Sequence, residues 1–312
     1  MSAMDKIFNN HGLIFQIIRG SFVDGYGVRT TVFLKGCPLR CVWCCNPEGQ
    51  AGYPEIKTTL SKCDGCGMCI PICPVNAIQI DTKQRGTIQV DRELCTNCGK
   101  CVEACYKDAI DLFGKAVTVD ELFDTVKKDE PFYRASGGGV TIGGGEPTFQ
   151  PLFTYAFLRK CRKNYIHTAV DTCGYTLTSD GFRILEEADL LLYDLKGMDH
   201  KEHLKNTGMP NQPILENLKK LDAIGKPIII RLPIIPGYTD SYKNIKSSAS
   251  FLSGLKSIER VDLIGYHEFG TVKYSQLGKK YKLHDIHSPS EARLKEISHV
   301  FKEYALNVQI GG

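Results

Sequence analysis

Three cysteines near the start of the chain have a spacing suited to an iron–sulfur cluster. Cys37, Cys41 and Cys44 follow the pattern C-x3-C-x2-C. Three thiolates can hold three corners of a cubane cluster and leave one iron without a protein ligand, and a catalytic metal needs such an open position. A zinc knuckle that lacks its fourth ligand, or an electron-transfer cluster that takes a cysteine from elsewhere, also fits the bare spacing. The location favours catalysis, because the motif directly follows a predicted strand at residues 28–34, where the loops of a barrel form an active site.

Eight further cysteines fall in two copies of a second motif. Residues 63–80 and 95–112 both begin with C-x2-C-x2-C-x3-C and end in a short apolar tail that contains Ala-Ile. In two-cluster ferredoxins, the fourth cysteine of each run ligates the other cluster. We therefore predict two [4Fe–4S] clusters, with site A formed by Cys63, Cys66, Cys69 and Cys105 and site B by Cys95, Cys98, Cys101 and Cys73. Their role is open at this stage, since they could relay electrons or mainly stabilise this part of the chain.

The composition argues against several classes of protein. No apolar run among the 312 residues approaches the roughly 18 needed to span a bilayer. The net charge is +4, and no dense cluster of Lys and Arg suggests nucleic acid. Residues 1–10 are polar and lack the apolar core of a signal peptide. We therefore expect a cytoplasmic protein with neither a membrane nor a nucleic acid as its partner.

The remaining cysteines have no ligand spacing. Eleven of the fourteen cysteines belong to the three motifs, and the others are Cys45, Cys161 and Cys173. Free cysteine is commonly a small buried hydrophobic residue, which is the expectation for these three. Structural disulfides are rare in the cytoplasm, so the clustered cysteines indicate metal. Because exposed thiolates are oxygen-sensitive, we expect an anaerobic setting.

Apolar runs alternate with helical patterns through most of the chain. Strands are predicted at residues 28–34, 139–143, 167–170, 190–195, 227–235 and 261–266. Helices are predicted between them, at residues 119–128, 151–162, 179–187, 212–224, 242–255 and 290–304. This alternation predicts an α/β fold with a parallel sheet. The cysteine-rich residues 52–115 are expected to be an insert, and residues 1–51 and 116–312 to form the main domain.

A glycine-rich strand end adds a second feature of the candidate site. Gly143, Gly144 and Gly145 precede Glu146 and Pro147, directly after an apolar run. Glycine permits close approach of the backbone to a ligand, although a plain turn would use the same residues. Together with C-x3-C-x2-C, this run resembles the radical S-adenosylmethionine (SAM) family. The resemblance implies a partial (β/α)6 TIM-like barrel in which the amino and carboxylate groups of SAM chelate the open iron.

The order of motifs is similar to one branch of that family. The sequence G-C-P-L-R-C-V-W-C-C-N-P-E, two ferredoxin motifs and then F-Y-R-A-S-G-G-G-V-T-I-G-G-G-E-P resemble the glycyl radical enzyme activating enzymes across nearly the whole chain. The ferredoxin-like insert suggests the larger branch, which serves diol, choline, hydroxyproline, toluene or arylacetate enzymes. The resemblance implies three [4Fe–4S] clusters, SAM and a large partner enzyme. A flavodoxin- or ferredoxin-type reductant is expected to supply the electron.

The resemblance also implies roles for individual residues. Trp43 would lie beside the adenine, with Cys45 next to it, and the backbone of Gly144, Gly145 and Glu146 would receive the methionyl amine. The following residues are expected to contact SAM or to support its site: Asp171, Asp194, Leu195, Lys196, Arg231 and His267. Asp171 would also contribute to a monovalent-cation site, and His267 would lie close to the target glycine. Taken singly, Asp194 with Lys196 could be an ordinary ion pair, and His267 a core histidine.

One loop departs from the family pattern. The family usually reads D-G-P-G before its first strand, whereas this chain has Asp24-Gly25-Tyr26-Gly27. Proline fixes φ near −65° and tyrosine does not, so the loop is expected to differ in shape or mobility. By the resemblance, Asp24 and Tyr26 lie where the partner's glycine loop docks.

The expected reaction is a radical transfer between proteins. One electron would cleave SAM to methionine and a 5′-deoxyadenosyl radical, which would remove an α-hydrogen from a glycine of the partner. Two other hypotheses remain at this stage. The chain could be a radical SAM enzyme for another peptide or small molecule. Peptide-modifying members commonly carry further cysteines after the barrel, however, and no cysteine follows Cys173 in this sequence. It could also be a ferredoxin-like carrier with an inert barrel, although a carrier has no use for an open iron.

Overall fold

The computed structural model describes residues 11–81 and 86–311 of the chain. The expectation that residues 1–10 do not form a signal peptide concerns residues that lie outside the described ones. Along the described chain the strands are β1 (His11–Ser21), β2 (Arg29–Leu34), β3 (Glu55–Thr58), β4 (Ile78–Asp81), β5 (Thr87–Val90), β6 (Ile110–Phe113), β7 (Lys115–Thr118), β8 (Gly139–Gly144), β9 (His167–Thr172), β10 (Leu190–Asp194), β11 (Ile228–Ile234), β12 (Ile258–Gly265) and β13 (Val308–Ile310).

Six of the ten α-helices among the described residues correspond to predicted helices, and the four shorter ones were not predicted. Their bounds are α1 (Lys100–Glu103), α2 (Val119–Lys127), α3 (Glu130–Ser136), α4 (Pro151–Lys163), α5 (Ser179–Glu187), α6 (His200–Thr207), α7 (Gln212–Ala223), α8 (Tyr242–Leu252), α9 (Thr271–Gln276) and α10 (Glu291–Glu303). Local signals set several of these bounds. Thr118 accepts a hydrogen bond from the Glu121 amide and Glu121 accepts one from the Thr118 amide, which forms a capping box at the start of α2.

Nine of the described strands form one sheet in the order β13-β12-β11-β10-β9-β8-β2-β1-β7. The strands from β2 through β8 to β13 pair in parallel, each with its neighbour in that order. Six of them are the predicted strands, so the predicted α/β fold class is confirmed. The sheet also gains β1 and β7, which pair antiparallel, and the short β13. None of these three was predicted.

Apolar strands explain why the parallel sheet forms. β10 and β11 carry runs of Leu and Ile that are buried on both faces, as expected where helices cover a sheet. Within the described chain, β2 and β12 do not pair with each other, so the sheet stays open between its first and last barrel strands. The carboxyl ends of the parallel strands meet at one end of this open barrel. Loops at that end form the site in folds of this kind.

The cysteine-rich segment has its own small sheets and core. β3 pairs antiparallel with β6, and β4 pairs antiparallel with β5. Ile56, Ile78, Ile88 and Ile110 form its buried core together with Cys69 and Cys101. The β3–β6 pair joins the beginning and the end of this segment, which is compatible with the predicted insert at residues 52–115. No helix among the described residues is long and apolar enough to cross a membrane.

Candidate active site

The loop with Cys37, Cys41 and Cys44 is held against the glycine-rich strand end by backbone hydrogen bonds. The Gly145 amide donates to the Leu34 carbonyl at 2.8 Å, and the Glu146 amide to the Gly36 carbonyl at 2.7 Å. On the other side, the Gly36 amide donates to the Gly49 carbonyl at 2.8 Å. The cysteine loop therefore lies between the end of β8 and the turn at residue 49.

This close stacking explains why residue 145 is glycine. A Cβ atom there would lie 2.3 Å from the Gly36 carbonyl oxygen and 2.6 Å from that of Gly49. Both contacts are with backbone, which cannot move aside as a flexible side chain could. Gly144 has a φ of +101°, a conformation that L-residues rarely adopt. The glycines are therefore needed for packing against the cysteine loop, in addition to any role in binding a ligand.

A cavity of about 290 Å³, open to solvent, lies at the carboxyl ends of the parallel strands. Cys37, Cys41 and Cys44 all line it. Other predicted site residues on its wall are Trp43, Cys45, Gly144, Gly145, Asp171, Asp194, Lys196, Arg231, His267 and Asp24. Residues from the first cysteine loop and from β8 to β12 therefore converge on one space, which is large enough for a nucleoside-sized ligand.

Charged side chains form the polar side of this cavity. Arg231 Nη1 lies 3.1 Å from Asp171 Oδ2 and 3.8 Å from Asp24 Oδ1. Lys196 Nζ lies 2.5 Å from Asp194 Oδ2. Burial alone would lower the pKa of both cations, but the neighbouring carboxylates raise it above the ordinary value. Three carboxyl groups thus face two cations, and when Asp171 is ionised the excess negative charge suits SAM, whose sulfonium leaves one net positive charge.

Burial also raises the pKa of one carboxyl group and of three thiols on the cavity. It raises the pKa of Asp171 to about 7, with Arg231 opposing the shift. Burial also raises the pKa values of the Cys37, Cys41 and Cys44 thiols. These thiols would therefore lose their protons only to a strong positive charge such as that of iron. The donor set of three soft thiolates fits an iron–sulfur cluster.

The apolar side of the cavity is built around Trp43. Its ring is buried in a cluster with Ile235 and Tyr266, and all three residues line the cavity. His267 follows Tyr266, and its ring lies 4.5 Å from that of Phe269. The His267 Nδ1 is buried and has no hydrogen-bond partner among the described residues. Burial, followed by the charge of Lys273, lowers the pKa of His267, so its ring is neutral and offers an unused polar atom.

Two residues predicted to contact SAM have side chains that point elsewhere. The buried Glu146 carboxylate accepts hydrogen bonds from the Thr148 amide at 3.1 Å, the Thr172 hydroxyl at 2.8 Å and the Cys173 amide at 2.8 Å. These donors occupy it, so only the backbone of Glu146 is available to a ligand. Leu195 belongs to the main hydrophobic core because successive residues of an extended chain alternate in direction. Asp194 and Lys196, on either side, face the cavity.

The two predicted partner-loop residues have different surroundings. Asp24 accepts hydrogen bonds from Ser21 and Thr31, both at 2.7 Å, and faces the cavity. Tyr26 lies off the cavity wall, and its hydroxyl donates to Glu259. The loop thus spans from the cavity to β12.

Several residues that line the cavity were not identified as site residues from the sequence. Asn46, Gln50 and Cys173 line the cavity although none was predicted to do so. Cys173 is buried as expected, but it lies on the cavity wall, whereas Cys161 belongs to the hydrophobic core. Cys173 follows the Asp171-Thr172 pair at the end of β9, and a strand end next to a predicted site residue is the only signal that could have identified it.

The eight insert cysteines surround two separate cavities. One is lined by Cys63, Cys66, Cys69 and Cys105. The other is lined by Cys73, Cys95, Cys98 and Cys101. The fold therefore brings the fourth cysteine of each run to the three leading cysteines of the other run. These are the sets assigned above to site A and site B.

Each of the two cysteine sets fits an iron–sulfur cluster. A [4Fe–4S] cluster is held by four cysteine thiolates. Each of the two cavities is lined by four cysteines of the duplicated motifs. The residues present therefore fit [4Fe–4S] clusters at site A and site B.

Comparison with known proteins defines the class of the chain. Residues 98–248 match the Radical SAM superfamily, and residues 62–109 match the 4Fe-4S dicluster domain. The chain is 41% identical over 303 residues to the trans-4-hydroxy-L-proline dehydratase activating enzyme of Clostridioides difficile, covering 96% of this chain and 99% of that protein. It is 38% identical to the choline trimethylamine-lyase activating enzyme of Oleidesulfovibrio alaskensis, covering 96% and 97% of the two chains.

A third relative is the benzylsuccinate synthase activating enzyme of Thauera aromatica, which is 38% identical and covered over 92% of its length. This chain is therefore a radical SAM enzyme with an iron–sulfur ferredoxin-like domain. Within that class, it belongs to the activating enzymes of glycyl radical enzymes, which confirms the family and the activity predicted from the motifs. Its activity is of the oxidoreductase type and generates a glycyl radical on a partner enzyme.

Proposed function

We propose that the cavity binds SAM against a [4Fe–4S] cluster held by Cys37, Cys41 and Cys44, and that sites A and B hold two further clusters. The chain would thus carry three clusters in all. The observation that supports this most directly is the convergence of the three thiols, the Gly144–Gly145 backbone and the two ion pairs on one cavity. A cluster held there would supply the one electron that cleaves SAM to methionine and a 5′-deoxyadenosyl radical, and this radical would take a hydrogen atom from a glycine of the partner.

The protein's own residues would orient SAM by charge and shape. Asp194 with Lys196 and Asp171 with Arg231 present fixed, paired charges, so their positions cost little reorganisation when a zwitterionic ligand binds. The aromatic cluster around Trp43 offers an apolar wall for the adenine. His267, with its unused Nδ1, lies where a nucleoside hydroxyl or the incoming glycine loop would pass. Asp171 is the candidate ligand of a monovalent cation.

The open side of the barrel suits a macromolecular substrate. A glycine in a loop of another protein must reach the cavity, and the described sheet runs from β13 to β7 without closing into a complete barrel. A low-potential flavodoxin- or ferredoxin-type protein would supply the electron, in the anaerobic cytoplasm. Exclusion of water by the docked loop would protect the radical from side reactions.

The test is anaerobic reconstitution with iron and sulfide. The reconstituted protein, SAM, dithionite and a panel of glycyl radical enzymes are mixed, and two products are measured: 5′-deoxyadenosine and the glycyl EPR doublet. Cys41→Ser should abolish both, because one ligand of the open cluster is lost. Cys45→Ser is the matched control for iron content, since Cys45 lines the same cavity but lies outside the motif.

The outcomes separate the competing functions. Formation of 5′-deoxyadenosine together with a doublet on one partner supports the proposal. Cleavage of SAM without a doublet on any member of the panel would favour a radical SAM enzyme with another substrate. No cleavage at all by fully reconstituted protein would favour an electron carrier and defeat the proposal.

A further inference from the structure

Residues 267–279, here called the bridging segment, touch three parts of the molecule. His267 lines the active-site cavity. The segment then contacts the cysteine loop through Gly270 and Lys273, and the ferredoxin-like insert through Gln276 and Lys279. One short stretch of chain, which includes α9, therefore connects the SAM site with the insert.

The contacts with the cysteine loop are close and buried. A Cβ at Gly270 would lie 2.9 Å from the Cα of Cys45 and 3.1 Å from the carbonyl oxygen of Cys44. Three residues later, Lys273 Nζ lies 2.6 Å from Glu48 Oε1 and donates to Asn46 Oδ1 at 2.7 Å. Glu48 is only 1% exposed, so this ion pair is largely removed from water. Removing one partner of such a pair leaves the other charge buried and uncompensated.

The contacts with the insert are also ion pairs and hydrogen bonds. Lys279 Nζ lies 2.9 Å from Glu55 Oε1 on β3, and Lys35 Nζ lies 3.1 Å from Glu55 Oε2. The carbonyl oxygen of Gln276, at the end of α9, accepts hydrogen bonds from Arg92 Nη2 at 3.1 Å and from Thr58 Oγ1 at 3.2 Å. Two lysines six positions apart thus bind two buried glutamates, one in the cysteine loop and one in the insert.

Arg92 links the bridging segment to a residue that lines site B. Its Nη1 donates to the Ile56 carbonyl at 2.5 Å, and Ile56 lines the cavity of site B. Site A is lined instead by the exposed Tyr106, which is 60% exposed and hydrogen-bonded to Asp64.

We propose that site B is the inner iron–sulfur site, held toward the cysteine loop by Arg92 and the bridging segment, and that site A is the outer site. This inference rests on the proposed function, since it assumes that both sites and the cysteine loop carry clusters. A low-potential flavodoxin- or ferredoxin-type donor would then give one electron at site A, and one electron would pass from site B to the cluster of the cysteine loop. No covalent bond changes within the insert. Arg92, Lys273 and Lys279 act as positioning residues.

A pair of matched variants tests the order of the sites. Cys66 and Cys98 are the second cysteines of their runs and are both exposed, so Cys66→Ser and Cys98→Ser disturb site A and site B in equivalent ways. In fully reduced protein, the electron spin of the cysteine-loop cluster relaxes faster when another paramagnetic cluster lies nearby. Cys98→Ser should lose this relaxation enhancement, and Cys66→Ser should retain it. The reverse result, or an equal effect of both variants, would overturn the assignment.

A second pair of variants keeps all the cysteines in place. Arg92→Gln and Lys279→Met should weaken the same enhancement at unchanged iron content, because the insert is less firmly held. They should also slow reduction of the cysteine-loop cluster by a reduced flavodoxin more than reduction by dithionite, which can diffuse into the open cavity. Lys280→Met, at an exposed neighbouring position, is the control. Unchanged relaxation and unchanged rates in Arg92→Gln and Lys279→Met would contradict the positioning role.

This test is independent of the test of the proposed function. Glycyl radical formation with dithionite depends on the cysteine-loop cluster and the partner alone. If the doublet forms but the two cysteine variants behave alike, only the order of sites A and B is wrong. If no doublet forms with any partner while Cys98→Ser alone loses the enhancement, the order stands and the proposed function fails.

Discussion

The hydroxyl of Tyr26 donates a hydrogen bond to the carboxylate of Glu259 across the open side of the barrel. Tyr26 precedes β2 and Glu259 lies at the beginning of β12, the two barrel strands that do not pair within the described chain. The guanidinium of Arg260 lies 5.5 Å from the centre of the Tyr26 ring, and Arg260 Nε donates to Asp262 at 2.7 Å. A proline, as in the usual family pattern, could not form this link.

Tyr26→Phe should lower the stability of the protein by a small but measurable amount. It removes the hydrogen bond and keeps the ring over Arg260, and Tyr26 is 40% exposed. We expect a loss of about 0.5–1.5 kcal/mol in the free energy of unfolding, as for an ordinary hydrogen bond. Anaerobic urea unfolding measures it, with Tyr165→Phe as the control because that side chain is almost fully exposed. Equal stability of the Tyr26 variant and the parent would show that the bond contributes nothing.

Gly145→Ala should disrupt the site far more than an alanine elsewhere. The added Cβ would collide with the backbone carbonyls of Gly36 and Gly49, so the cysteine loop would have to move away from β8. We expect loss of iron at the cysteine loop and loss of SAM binding, measured by iron content and isothermal titration. Gly254→Ala is the control, since its nearest neighbour would be 3.5 Å away and its φ is not positive. Normal iron content in Gly145→Ala would contradict the packing argument.

Local patterns in the sequence predicted those parts of the structure that depend on neighbouring residues. The apolar runs of β10 and β11 predict buried parallel strands, because burial on both faces leaves no alternation. The duplicated cysteine runs led to the crossed sets that the fold brings around two cavities. By contrast, β1 was missed because its burial is irregular, and none of residues 15–20 is fully buried.

Contacts between distant residues could not be predicted from one sequence. Lys273 and Asn46 are separated by 227 positions, and Arg92 and Gln276 by 184. Nothing in the local pattern of any of these residues indicates its partner. The direction of the Glu146 side chain is a similar case, since Thr172 and Cys173 come to it only through the pairing of β8 with β9. The motif predicted a role only for the backbone of Glu146 and gave no direction for its side chain.

Glu146→Gln should weaken the fold around the cavity. The carboxylate accepts three hydrogen bonds from Thr148, Thr172 and Cys173, whereas an amide offers one oxygen and turns its NH2 group toward donors. Leaving buried polar groups unsatisfied costs about 1–3 kcal/mol, and chemical denaturation should show a loss of this size. Glu291→Gln, at an exposed position on α10, is the control. If Glu146→Gln keeps the parent's stability but loses SAM binding, Glu146 contacts the ligand directly.

The affinity for SAM should rise with pH around neutrality because of Asp171. Burial raises the pKa of this carboxyl to about 7, so it is largely protonated at pH 6 and ionised at pH 8. An ionised carboxylate attracts a cationic ligand, and binding therefore releases the proton. Below pH 7 the affinity should fall by up to about tenfold per pH unit, since one proton is exchanged.

Asp171→Asn removes this titration while keeping the shape of the side chain. The variant should bind SAM more weakly than the parent at pH 8, and its affinity should change less between pH 6 and pH 8. Anaerobic isothermal titration at several pH values measures both effects, with the exposed Asp180→Asn as the control. A pH dependence in Asp171→Asn as steep as that of the parent would assign the titration to another group on the cavity. The paired arrangement of Asp171 with Arg231 at 3.1 Å makes the difference at pH 8 the more sensitive measurement, because the variant leaves the Arg231 charge without its nearest carboxylate.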